Sequence, residues 1–150
     1  MAENWYDLGF CQMELGEIEA AIESLQTAIK LNPKYFKAWD SLGQCHRRHE
    51  QWQRAELAFR QATKINPNDA EDMYLLGWCL KKLDRTAEAL ECYKQSVDID
   101  PSNARVWNSM ACIHLIQNRP EEAISVLKGS EAKARNGRSM GQSRHGGSHA

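Results

Sequence analysis

A period of 34 residues constrains this chain more than any other feature of its 150-residue sequence. The stretch from Cys11 to Pro33, CQMELGEIEAAIESLQTAIKLNP, has a recognisable relative, CHRRHEQWQRAELAFRQATKINP, from Cys45 to Pro67. A third copy ends at Pro101, so that LNP, INP and IDP recur at one spacing. Such periods indicate stacked structural units that bury their apolar faces against one another.

Sliding the sequence against itself by 34 residues aligns large apolar residues with large ones and small residues with small ones. The columns are Trp5, Trp39, Met73 and Trp107; Leu8, Leu42, Leu76 and Met110; Gly9, Gly43, Gly77 and Ala111; Ala21, Ala55, Ala89 and Ala123; Leu25, Phe59, Tyr93 and Leu127; and Ala28, Ala62, Ser96 and Ser130. We predict four units with the bounds 2–35, 36–69, 70–103 and 104–135.

Within a unit the column residues fall at steps of three and four, which is helical spacing. Each unit is therefore predicted to be two helices, with a break at Gly16 in the first unit. The breaks in the third and fourth units are predicted at Asp84–Arg85 and at Asn118–Arg119–Pro120, where Pro120 suits a helix start. The recurring proline should end the second helix, because it has no N–H to donate. The glycine column should let a large neighbouring side chain lie against the backbone.

These spacings of Trp, Leu-Gly, Ala, an aromatic or Leu, Ala and Pro resemble the tetratricopeptide repeat (TPR). The resemblance covers residues 2–135, and the fourth unit departs from it with Ala111 for the glycine and Arg135 for the proline. It implies an all-α, right-handed solenoid of helix-turn-helix repeats, an alpha-alpha superhelix. The pentatricopeptide RNA-binding repeat is disfavoured, because its unit is usually one residue longer and lacks this proline column.

Composition narrows the classes of partner and compartment. The formal net charge is -1, so no overall basic field favours nucleic acid or anionic lipid. No apolar run approaches the roughly 18 residues of a membrane span, and the first residues lack the pattern of a signal peptide. We therefore expect no nucleic-acid binding, no membrane insertion and a cytoplasmic or nuclear location. Residues 136–150 are rich in Gly, Ser and Arg and are predicted to be a flexible tail or linker.

The resemblance implies that the first helices line a concave groove that binds a protein or peptide. We name the predicted groove residues the groove face: Tyr6, Phe10, Met13, Lys37, Asp40, Gln44, Arg47, Arg48, Tyr74, Trp78, Lys81, Lys82, Arg105 and Asn108. Its aromatic and sulfur-bearing side chains exceed what solvation requires, and its Arg and Lys residues form a local basic patch. We expect a ligand with an apolar anchor and acidic residues.

One TPR subtype clamps the C-terminal carboxylate of a chaperone with two lysines, two asparagines and an arginine. The matching positions in this chain are Tyr6, Phe10, Ser41, Glu71 and Leu75 or, one unit later, Asp40, Gln44, Leu75, Arg105 and Ser109. Only Arg105 fits the pattern. A carboxylate clamp for a chaperone tail is therefore disfavoured.

Catalytic and metal chemistry find little support in the sequence. His46 and His114 share a packing column, and we interpret them as buried histidines with satisfied hydrogen bonds, without a carboxylate at a fixed offset. The five cysteines are interpreted as reduced thiols, and the three of one column, Cys11, Cys45 and Cys79, as small buried apolar residues. His145 and His149 lie in the tail without a second shell to orient them. We predict no enzyme activity and no cofactor.

The sequence thus predicts a non-catalytic adaptor or scaffold for protein–protein interaction. Two alternatives stay open, a self-associating scaffold and a TPR fragment of a larger multidomain protein or enzyme. The first helix begins near Met1 with Trp5, Leu8 and Phe10 and has no preceding helix to cover its outer flank. An uncovered apolar flank is an interaction surface, so we also predict weak homo-oligomerisation.

Overall fold

The structure is a computed structural model that describes the backbone of residues 1–149 and the side chains of residues 1–133 and 135. Residues 1–149 form eight helices and no strand. The helices are α1 Ala2–Glu14, α2 Ile18–Leu31, α3 Phe36–Arg48, α4 Trp52–Ile65, α5 Ala70–Lys82, α6 Thr86–Ile99, α7 Ala104–Ile116 and α8 Pro120–His149. The prediction for residues 136–150 lies outside the described side chains, and the four-unit division remains our interpretation of the helix pairs.

The turn inside each helix pair has a left-handed residue at the same repeat position. Gly16 has φ 84°, and Glu50, Asp84 and Asn118 have φ between 57° and 62°. Glycine adopts this conformation freely and Asn and Asp tolerate it, whereas Glu50 adopts it at a cost in strain. The three predicted breaks agree with these turns, and the turn at Glu50 carries no sequence signal of its own.

The second helices α2, α4 and α6 end two residues before Pro33, Pro67 and Pro101, as predicted. The polar residue before each proline closes a short turn: its side-chain oxygen accepts a hydrogen bond from the backbone N–H two residues further on. The donors to Asn32, Asn66 and Asp100 are Lys34, Asn68 and Ser102, at 3.1 to 3.3 Å. This local bond explains why Asn or Asp recurs there.

The glycine column lets the two helices of a pair approach closely, which confirms that prediction. A Cβ built on Gly43 would lie 2.7 Å from the Phe59 ring, and one on Gly77 would lie 2.7 Å from the Tyr93 ring. Both rings are fully buried. Any side chain at these glycines would have to displace an aromatic ring from the core.

The helix pairs stack in chain order, because α2 packs on α3, α4 on α5 and α6 on α7. One buried cluster joins the first two pairs around Leu25 and Leu42, and another joins the later pairs around Phe59, Tyr93 and Trp107. The outer flank of α1 lacks such a neighbour, and Trp5 and Leu8 remain 40% and 45% exposed. The chain is an all-α helical repeat solenoid.

Candidate functional site

A cluster of two tryptophans and two cations joins the second and third helix pairs. Trp52, the first residue of α4, and Trp78 of α5 pack edge to face with ring centroids 5.3 Å apart. The guanidinium of Arg47 lies 5.0 Å from the Trp78 centroid, and the Lys82 ammonium lies 5.5 and 5.8 Å from the two rings. Cations over indole faces are attracted by the ring quadrupole. We name Arg47, Trp52, Trp78 and Lys82 the tryptophan cluster.

The Arg47 side chain is held by its surroundings. Its terminal NH2 group donates to Gln44 at 3.4 Å, and its Nε is buried without an acceptor among the described side chains. Trp78 covers it from one side. The guanidinium therefore presents its positive charge at the cluster, and its remaining N–H groups can donate to a partner.

A second aromatic group lies at the N-terminal end of the groove face. The Tyr6 ring is 6.1 Å from Phe10 and 5.3 Å from Tyr35, which precedes α3. Burial raises the pKa of the Tyr6 hydroxyl above its usual value, and the neighbouring Asp40 and Asp7 carboxylates raise it further. Phe10 remains 41% exposed, so this group offers an apolar surface to solvent.

Tyr74 is packed between its own helix pair and the following one. Its ring is 5.7 Å from the buried Tyr93, and the Arg105 guanidinium lies 5.4 Å from its centroid. Arg105 of α7 also forms a salt bridge with Glu71 of α5 at 3.4 Å. This bridge links α5 and α7, each the first helix of its pair, across the groove face. Both charges are well exposed, and such a pair contributes little to stability.

Two carboxyls meet between α3 and α5. Asp72 is only 1% exposed and its carboxyl is hydrogen-bonded to that of Asp40, while its Oδ2 has no hydrogen-bond partner among the described residues. Burial first, and then the bond to Asp40 and its charge, raise the pKa of Asp72 to about 10. Asp72 is therefore protonated at neutral pH, and the two side chains together carry less negative charge than two ionised aspartates would.

Met13 does not offer a side chain to the groove. It is 4% exposed and belongs to the core cluster of the first two helix pairs. It stands in the last turn of α1, where the second pair covers it, and its carbonyl oxygen accepts a hydrogen bond from Arg48 at 3.1 Å. The groove face thus loses Met13, and the Arg48 guanidinium is tied to backbone.

The other predicted residues of the groove face are distributed along it. Lys37 and Asn108 are exposed, and Gln44 and Lys81 are half-buried. The structure brings Arg47, Trp78 and Lys82 together and joins Tyr6 to Phe10. That these residues bind a ligand stays a prediction.

The buried histidines differ from the prediction in one respect. His46 and His114 are buried as expected, but the Nδ1 atom of each lacks a hydrogen-bond partner among the described residues. Burial lowers the pKa of His46, so that the neutral ring is favoured. No three His, Cys, Asp or Glu side chains of the described part of the chain stand close enough to hold a metal ion.

The cysteines are all free thiols, but they are not all buried. Cys45 and Cys79 have no exposed surface, whereas Cys11 and Cys112 are exposed and Cys92 is intermediate. The prediction of a buried thiol is wrong for Cys11, because no helix of the described residues packs on that flank of α1. Cys112 is exposed on the same face of α7 as Arg105 and Asn108.

Sequence reasoning missed three residues of the site. Trp52 belongs to a second helix and Tyr35 to a turn, so neither falls in the columns of the first helices. Asp72 occupies the column of Ala38 and Val106, and a carboxyl among buried apolar residues was the available signal.

Among the described residues, no helix combines the length and apolar character needed to cross a bilayer.

Comparisons with known proteins agree with this architecture. A family model described as Tetratricopeptide repeat matches residues 6–70, and one described as Anaphase-promoting complex, cyclosome, subunit 3 matches residues 48–130, more than half of the chain. Comparison with curated proteins gave no match.

Several solved structures share the fold. A crystal structure of MamA is 25% identical with a TM-score of 0.85 and covers 92% of this chain and 81% of its own. A second MamA crystal structure, also 25% identical, has a TM-score of 0.84 and covers 89% and 73%. MamA 41-end from Desulfovibrio magneticus RS-1 is 20% identical, with a TM-score of 0.82 and coverage of 91% and 77%. With its columns, turns and helix pairs, the chain belongs to the tetratricopeptide repeat family.

Proposed function

We propose that this protein is a non-catalytic adaptor that binds a protein or peptide segment on its groove face. Protein–protein interaction is the role that the repeat family and the fold support. The tryptophan cluster is the observation that favours the groove face as the binding surface. Aromatic side chains flanked by arginine are what protein interfaces enrich at their energetic centres.

The cluster is already ordered by contacts within the chain. Trp52 and Trp78 hold each other edge to face, and Arg47 and Lys82 lie against their rings. A ligand therefore has few rotamers to fix, and pre-organisation of this kind lowers the cost of association. Both tryptophans are only partly buried, so apolar area remains to be covered.

The chemistry of the cluster favours a ligand with an apolar anchor beside acidic residues. The anchor would cover Trp78, and a carboxylate would pair with Arg47 and Lys82. Because Asp72 is protonated, the Asp40–Asp72 pair repels an acidic segment less than two carboxylates would. We expect the affinity to fall as salt is raised, because rim charges act chiefly through screened attraction.

Selection of peptides from a random displayed library, followed by calorimetric titration of the selected peptide, tests this function. Trp78→Ala together with Tyr74→Ala should weaken binding by about 2 to 4 kcal/mol with the helical circular dichroism retained, as for hot-spot aromatics. Trp5→Ala is the matched control, since Trp5 is an exposed tryptophan outside the groove face. Unchanged affinity in the double variant would remove the groove face as the binding site.

A second candidate function is self-association through the outer flank of α1, where Trp5 and Leu8 are exposed. Residues 2–35 contain six acidic and two basic residues, whereas residues 104–135 contain three acidic and five basic residues. The two ends are therefore complementary in charge, and Ile124 and Leu127 of α8 are exposed as well. These features favour a head-to-tail contact.

Sedimentation across a wide concentration range tests the second candidate. We expect weak association that Leu8→Glu abolishes, with Leu57→Glu at an exposed position of α4 as the control. A wild-type chain that stays monomeric at high concentration would contradict it.

A further inference from the structure

Two carboxyl side chains of the described residues are buried, and their surroundings differ in charge. Glu56 of α4 is 5% exposed and forms salt bridges with Arg60 and Arg85. Asp72 of α5 is 1% exposed, and its hydrogen-bond partner is a second acid, Asp40. No Lys, Arg or His among the described side chains forms a salt bridge with Asp72 or Asp40. A buried carboxyl is normally compensated by a cation, and Asp72 lacks the compensation that Glu56 has.

The Asp40–Asp72 pair keeps one negative charge and one free acceptor. Asp40 acts on Asp72 as a negative charge, and the Oδ2 atom of Asp72 has no hydrogen-bond partner among the described residues. The Tyr6 hydroxyl beside the pair is bonded to Ser41 and also lies within the field of Asp40. A ligand group with one positive charge and several N–H donors would supply what both carboxyls lack.

The pair lies on the same face as the tryptophan cluster. Asp40 is half-buried, so a segment in the groove can reach it. Asp40 and Arg47 are seven residues apart on α3, nearly two helical turns, and therefore point to one side of the helix. At 1.5 Å per residue the separation along the helix is about 10 Å. An extended polypeptide spans that distance in about three residues.

We propose that the Asp40–Asp72 pair binds the ammonium of a lysine side chain in the partner segment, about three residues from the residue held by the tryptophan cluster. This inference rests on the proposed function. The ammonium donates to the Asp40 carboxylate and to Oδ2 of Asp72, while Asp72 keeps its proton. A small rotation of the half-buried Asp40 side chain opens Oδ2 to the ligand. A polar group that breaks the rules of a core is expected where binding needs it.

Peptides selected from a random displayed library provide the first test. We expect the peptides that need Trp78 for binding to be enriched in a lysine about three residues from their apolar or acidic anchor. Peptides that need Trp78 but show no such lysine would overturn this inference and leave the proposed function standing. A selection without any peptide that needs Trp78 would contradict the proposed function, and this inference with it.

Calorimetric titration at pH 7 compares a selected peptide with a version in which norleucine replaces the lysine. Norleucine keeps the carbon chain and lacks the ammonium. The lysine peptide should bind the wild type at least about tenfold more tightly, and Asp40→Asn should bring the two peptides to equal affinity. Asp72→Asn should keep the preference for lysine, because an amide still donates to Asp40 and still offers an acceptor. Asp72→Val removes that acceptor and should reduce the preference.

Asp7→Asn is the control for a general effect of acidic charge. Asp7 is an exposed carboxylate of α1 near Tyr6, outside the pair. This variant should keep the preference for lysine. Equal affinity of the two peptides for the wild type, or a preference that survives Asp40→Asn, would overturn the proposal. Loss of the preference in Asp72→Asn would contradict the role of the protonated Asp72.

Discussion

Helices α1 and α3 place the same kinds of side chain at the same repeat positions, yet these side chains are exposed to solvent in α1 and buried in α3. Leu8 and Cys11 of α1 are exposed, whereas Leu42 is 6% exposed and Cys45 is fully buried in α3. The difference is the packing of α2 on α3, because no helix of the described residues packs on the equivalent flank of α1. The repeat pattern fixes where a side chain points, and the neighbouring unit decides whether that side chain is buried.

The largest effect is expected at the leucine column. Leu42→Ala should lower the free energy of unfolding by about 2 to 4 kcal/mol, because it removes buried methyl groups and leaves a cavity. Leu8→Ala should cost less than about 1 kcal/mol, because nearly half of Leu8 is already in water. Urea unfolding followed by circular dichroism measures both. Equal losses would show that the flank of α1 is covered in solution.

Much of the fold follows from the columns alone. Glycine opposite a large side chain predicts the close approach of Gly43 to Phe59, and the recurring proline predicts the ends of the second helices. These features are local, or repeat with the period, so that one sequence shows each of them several times. Glu50 escaped prediction because the left-handed turn there is imposed by the repeat and not by the residue.

The column of Asp72 shows the same difference between α1 and the later first helices, because it holds the exposed Asn4 in α1 and the buried Val106 in α7. Asp72→Val should raise the free energy of unfolding by about 1 to 3 kcal/mol at pH 7, since it replaces a buried carboxyl that has one oxygen without a hydrogen-bond partner by a group that the fold accepts in the same column. Asn4→Val is the matched control and should change stability by less than about 0.5 kcal/mol.

The same variant should alter the dependence of stability on pH. The pKa of Asp72 in the folded chain, about 10, lies above the ordinary value, so folding takes up a proton. This contribution is fully present below the unfolded pKa near 4 and is lost as the pH rises toward 10. The wild type should therefore lose stability from neutral to alkaline pH more steeply than Asp72→Val. Parallel profiles would contradict the raised pKa.

The tryptophan column provides a smaller effect. Trp39→Phe removes the hydrogen bond that the indole N–H donates to the Pro33 carbonyl and should cost about 1 kcal/mol, together with a modest loss of packing. Trp5→Phe should be close to neutral, because Trp5 is exposed and no proline turn of a preceding pair lies beside it. Thermal unfolding of the two variants distinguishes these cases, and equal losses would count against the role of the Pro33 bond.

The candidate site was less predictable than the fold. Periodicity placed Trp78 and Arg47 on one face, but their contact with Trp52 depends on how the second helix pair meets the third. Met13 obeys the same spacing and is nevertheless buried by the next unit. Spacing within a helix shows on which face of the helix a side chain lies. Which side chains then come into contact depends on the packing between helix pairs, and a single sequence contains little information on that packing.

Thiol reactivity tests the central comparison most directly, because Cys11 and Cys45 are the same group in the same column. Iodoacetamide labelling of the dilute native chain, followed by peptide mass spectrometry, gives a rate for each cysteine. We predict that Cys11 reacts at the rate of an open thiol, whereas Cys45 reacts at least about 100-fold more slowly, because it reacts only when the structure opens. Burial, which raises the pKa of Cys45 to about 11, slows it further. Similar rates for the two cysteines would contradict the account that the preceding unit alone separates a buried column from an open flank.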